Sequence, residues 1–121
     1  MNKDRLALLA DTIEVLEHKP DYTKSGGFCL NFWKFSCGAP ACNAGWAEHL
    51  AWQDRSFDSK AVAWEGTQEV AQRWLEITEE EAYRLFTPQL PNDELYEDVT
   101  PQRSAAVIRR FIETGHVDWS E

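Results

Sequence analysis

Cys37-Gly38-Ala39-Pro40-Ala41-Cys42-Asn43-Ala44-Gly45-Trp46-Ala47 is the stretch on which the fold turns. It lies where an aromatic, extended segment gives way to helical periodicity. Gly38 permits a turn, and Pro40 suits a first helical position, where its missing N–H would have no intrahelical partner. Ala41, Ala44, Gly45 and Ala47 leave one side of the predicted helix, residues 40–53, almost without bulk, so another backbone can approach closely. Trp46, Leu50 and Trp52 supply its apolar volume. The two cysteines then read as small apolar fillers at a crowded junction.

Upstream, Phe28-Cys29-Leu30-Asn31-Phe32-Trp33-Lys34-Phe35 alternates as a strand does, with Phe28, Leu30 and Phe32 on one face. A lone strand is not stable, and residues 58–64 are the only candidate partner. Residues 3–17 read as a helix, because Leu6, Leu9, Ile13 and Leu16 recur at three and four residues. Pro20 ends it, and residues 21–27 form a polar loop.

Downstream, residues 54–66 are a loop or partly extended connection. Residues 67–76 are expected to be helical, with Val70, Ala71, Trp74 and Leu75 facing inward. Thr78-Glu79-Glu80-Glu81 matches a capping box that opens a helix running to about Phe86, and Pro88 prevents continuation. Residues 87–99 form a long connection of the kind that is often at the surface. Thr100-Pro101 starts the last helix, Ala105, Ile108, Phe111 and Ile112 mark its buried stripe, and Gly115 fits the left-handed position past its end. Val117 and Trp119 are expected to fold back onto the body. The predicted architecture is a mainly α, compact bundle of about five helices with at most a small β element. It forms one globular domain, residues 1–121, with the helix 40–53 buried against the first and last helices.

The chain has 121 residues, 43% hydrophobic and 27% charged, which suffices for a core without metal or disulfides. Six tryptophans add bulky rings whose N–H groups need partners. The formal net charge is −9, and −7 of it falls between Glu76 and Asp98, where eight carboxylates face Arg84 alone. Such a balance opposes direct nucleic-acid binding, which needs a basic footprint. No apolar run is long enough for a membrane span, and no secretory signal opens the chain. Three cysteines cannot all pair within one chain, so reduced thiols in the cytoplasm are expected.

Two sites follow from these residues. Cys29, Cys37, Cys42 and His49 superficially resemble a zinc set, but Cys42 and His49 on one helix stand about 10.5 Å apart along its axis, too far for one ion. Cys37 and Cys42 flank a helix N-terminus that can lower a thiol pKa, and a base is then needed from His18, His49 or His116, the last with Asp118 as orienting carboxylate. No protease or transferase signature surrounds them, so this small cysteine-dependent enzyme or metal-binding protein is the alternative reading. The preferred reading is recognition without a cofactor. Glu79, Glu80, Tyr83, Glu94, Tyr96, Glu97 and Asp98 form an acidic face edged by tyrosine, suited to a basic protein partner or to imitating nucleic-acid phosphates before an enzyme that binds them. A merely solvated face has the same composition.

The segment from Phe28 through Trp33 and Cys37 to Ala47, followed by Ala71, Leu75-Glu76-Ile77-Thr78, Glu81-Ala82 and Leu85-Phe86, resembles a group of small hypothetical proteins of bacteria and tailed phages. Their signature is Cys-Gly-Thr-x-x-Cys-x-Ala-Gly-[Trp/His]-Ala, and the likeness spans about residues 20–119. Ala39 stands where the group has threonine, which removes a helix N-cap that Pro40 compensates by pre-setting the backbone. The resemblance implies the organisation above and carries over no catalytic residue. Its phage association implies an accessory or inhibitory protein.

Overall fold

Asn2 caps the first helix, α1 (Lys3–Glu14), by accepting the Arg5 N–H on its side chain at 3.1 Å. One side of α1, carrying Leu6, Leu9, Ala10 and Ile13, is fully buried. The computed structural model describes residues 1–18, 27–30, 42–58 and 65–120. Among these the fold is mainly α, with five α-helices and a single two-stranded sheet.

α1 stops three residues short of its expected end. The Glu14 carbonyl, which has no helical partner, accepts the Gln102 side-chain amide at 2.9 Å. The chain then extends, and β1 (Glu17–His18) pairs in parallel with β2 (Gly27–Phe28). Among the described residues, the Phe28 strand pairs with the segment just after α1. Residues 31–35 and 59–64, to which the longer strand and its expected partner were assigned, lie outside the described residues.

α2 (Asn43–Gln53) begins three residues later than predicted. Its N-cap is Cys42, in extended backbone, whose sulfur accepts the Gly45 N–H at 3.4 Å. Pro40 and Ala41 are not among the described residues. The small-residue face is present: Ala44, Ala47 and Ala51 are fully buried. Trp52, expected to fill the core, is 44% exposed.

α3 (Thr67–Leu75) buries Val70, Ala71, Trp74 and Leu75 and ends on Glu76, in the left-handed region at φ 56°. Asn2 secures that end. Its N–H donates to Leu75 O at 2.8 Å and its side-chain amide to Glu76 Oε2 at 2.8 Å. α4 (Glu79–Phe86) opens on the complete Thr78–Glu81 capping box and buries Ala82, Leu85 and Phe86. α5 (Pro101–Thr114) follows the Thr100 cap and ends on Gly115 at φ 78°.

α1 packs most extensively on α5, and α2 on α3. α2 also packs on α1, as expected, but its main neighbour is α3, and its expected seating against α5 is reduced to a narrow contact. Its alanines are fully buried in the shared core, and α5 is reached by a polar link, the fully buried Asn43 and Ser104 side chains. Each fully buried Leu, Ile or Phe contributes about 1.5–3 kcal/mol, and these helices share one core. No helix among the described residues is long and apolar enough to cross a membrane.

Candidate functional site

The capping box orients α4 so that Glu79, Glu80 and Tyr83 are exposed while Ala82, Leu85 and Phe86 anchor the other side. Glu79 and Glu80 lie four and three residues before Tyr83, spacing that places them on the same helix face. The Tyr83 ring is 58% exposed. Glu80 accepts from Arg84 Nη2 at 2.7 Å in an exposed i,i+4 pair.

Tyr83 and Glu80 line two hollows. One, of about 750 Å³, runs beside Glu80, Tyr83, Arg84, Leu90, Val117 and Trp119. The other, of about 550 Å³, is bounded by Gln68, Thr78, Glu79, Glu80 and Tyr83. The C-terminal segment folds back as expected to wall the first: Trp119 is buried and its Nε1–H donates to Arg84 O at 3.0 Å. Asp118, also on this wall, accepts from Ser120 N at 2.9 Å and from Ser120 Oγ at 2.5 Å, which holds its carboxyl below the ordinary range.

The second half of the predicted face behaves differently. Two short helical turns, Pro91–Asp93 and Tyr96–Asp98, carry Glu94, Tyr96, Glu97 and Asp98. Asn92 and Asp93 both take left-handed backbone, φ 57° and 55°, and Glu94 next to them is ion-paired with Arg103 of α5. Arg103 also donates to Trp119 O at 2.7 Å and stacks over the Trp119 ring. Glu94 is therefore committed to holding the fold. The Tyr96 hydroxyl donates to Pro88 O at 2.5 Å, and burial, with the nearby Tyr83 phenol, pushes its pKa above the ordinary value. The Glu97 carbonyl accepts His18 Nε2–H at 2.8 Å, and the Asp98 side chain is exposed. Of the seven predicted residues, α4 brings Glu79, Glu80 and Tyr83 together at the hollows, while Glu94, Tyr96, Glu97 and Asp98 line neither of them. Sequence reasoning did not assign Leu90 to a site and did not join Val117 and Asp118 to the acidic face; the return of the C-terminal segment brings the latter two to the groove.

The cysteine junction has the opposite character. Cys42 is buried, and desolvation outweighs the backbone N–H groups around it to push its thiol up to about 12. Helix N-terminal activation thus loses to burial. His49, seven residues on, is exposed, takes the Gln53 amide on Nε2 at 3.2 Å and packs edge-on against Trp46. His116 is exposed, while the Asp118 carboxylate meant to orient it is engaged by Ser120. Among the described residues, no three His, Cys, Asp or Glu side chains converge to hold a metal ion. Cys37 lies outside those residues.

No protein-family model matches the chain, and neither the curated proteins nor the solved structures contain a match to it.

Proposed function

We propose that this is a non-enzymatic binding or regulatory protein that docks a basic partner protein on the acidic side of α4. The observation that supports it most directly is Tyr83, a large residue 58% exposed on the same helix face as Glu79 and Glu80 and lining two hollows. Half-exposed tyrosine beside carboxylates is the composition of a recognition surface, and the concentrated charge steers a cationic partner toward it. An accessory or inhibitory role, including imitation of nucleic-acid phosphates before an enzyme that binds them, is the finer reading and rests on charge and on the phage-protein resemblance. The raised Cys42 pKa weighs against the cysteine-dependent alternative.

The test is affinity capture from a bacterial lysate followed by titration of the purified partner. Binding that weakens steeply with salt and is lost in Glu79→Lys/Glu80→Lys supports the reading. A partner bound equally well by that variant overturns it.

A further inference from the structure

We infer that the groove between α4 and the returning C-terminal segment takes an extended peptide segment of the partner, one that carries an arginine or lysine close to an aliphatic side chain. The inference rests on the acidic-face reading and specifies the partner's chemistry. The groove of about 750 Å³ has an aliphatic lining, the half-buried Leu90, Pro91 and Val117, which accommodates side chains of moderate size. Carboxylates border it, Glu80 from α4 and Asp118 from the C-terminal segment. Among the described residues that line it, Arg84 is the one cationic side chain; it pairs with Glu80 at 2.7 Å, so Asp118 gives the lining its net negative charge.

Charge complementarity selects the occupant. The groove lies against the segment that carries −7 of the chain's −9 charge, so an acidic peptide is repelled and a cationic one attracted. Tyr83 and Glu80 line both hollows, and a guanidinium or ammonium over the exposed Tyr83 ring lies within reach of Glu80 and of Glu79 in the adjoining hollow. The neighbouring aliphatic side chain of the same segment then enters the groove beside Leu90 and Val117. An extended backbone fits this arrangement, because residues one or two apart in a strand-like segment reach the two hollows in turn.

The test is selection from a yeast-displayed random dodecapeptide library on the wild-type chain, with depletion on Tyr83→Ala. Enriched peptides are expected to pair Arg or Lys with Leu, Ile or Val. A synthetic peptide of that sequence should lose about tenfold in affinity against Tyr83→Ala or Glu80→Gln and should shift the Trp119 indole resonance. No enrichment, enrichment of purely polar basic sequences, or equal binding to both variants overturns the inference. The lysate partner separates it from the reading beneath: a partner lost in Glu79→Lys/Glu80→Lys but indifferent to a saturating groove peptide leaves the acidic face standing and removes the groove. Indifference to both changes removes both.

Discussion

The Ser104 hydroxyl donates to Asn43 Oδ1 at 2.8 Å, and neither side chain has any exposed surface. The other side of the same amide donates to Leu85 O at 3.2 Å, so one asparagine joins the start of α2, the end of α4 and the first turns of α5. Asparagine is rarely so buried, and here its polar atoms are matched by groups from two other helices. Asn43→Ala leaves the Ser104 hydroxyl and the Leu85 carbonyl without that partner and should cost about 2–3 kcal/mol in urea unfolding. Ser104→Ala should cost less, about 1 kcal/mol, and the double variant should fall short of the sum because the residues touch.

A second polar junction predicts acid sensitivity. Asp54 accepts from Ser56 N and Oγ, at 2.9 and 2.7 Å, and from Trp74 Nε1 at 2.8 Å, while Arg5 Nε stands 3.3 Å away. These donors, Ser56 first, lower its pKa from 3.8 to about 2. A depressed carboxyl stabilises the fold above its unfolded pKa, and that contribution is lost as pH falls through the folded value. Asp54→Asn should therefore be less stable than wild type at pH 7, and the gap should narrow between pH 4 and pH 2. A gap independent of pH in denaturant melts would contradict the assignment.

Cys42 titrates in the other sense. Its thiol keeps its proton to about pH 12 in the folded state against 9.0 ordinarily, so its contribution is complete below pH 9 and declines as pH rises toward 12. At pH 8 the folded protein offers almost no Cys42 thiolate. In a Cys37→Ser variant, which removes the one cysteine outside the described residues, thiol reagent should react slowly in buffer and with two equivalents in denaturant. Rapid native reaction assigned to Cys42 would return the cysteine junction to consideration as a reactive site.

What was legible in the sequence was local. Thr78 and Glu81 satisfy each other across three residues, and Thr100-Pro101 and Gly115 bound α5 by backbone preference alone. Those elements formed where their own residues said they would. The Glu14 carbonyl at the end of α1 is taken up by Gln102, 88 residues away, a partner that no window around Glu14 contains. The start of α2 is set within its own first turn, but by a sulfur in place of the hydroxyl or carboxamide cap that usually signals a helix start. In the candidate site, exposed Glu79, Glu80 and Tyr83 follow from helical period, whereas the Glu94–Arg103 pair arises only when the 87–99 connection folds over α5.

That difference separates carboxylates of identical type. Glu80 is 73% exposed at its side chain, and its pair with Arg84 connects two mobile chains in water, so Glu80→Lys should change stability by about 0.5 kcal/mol. Glu94 is 29% exposed and its partner Arg103 is 21% exposed, held also by the Trp119 carbonyl and ring. Reversing Glu94 places two cations together in a half-buried site and loosens the C-terminal wall of the groove. Glu94→Lys should cost about 1–2 kcal/mol, with a larger fall in melting temperature than Glu80→Lys. Equal small effects would mean that the Arg103 junction is not holding the segment. If the expected difference is found, partner binding lost in Glu94→Lys reflects a disturbed fold, and binding lost in Glu79→Lys/Glu80→Lys reflects contact.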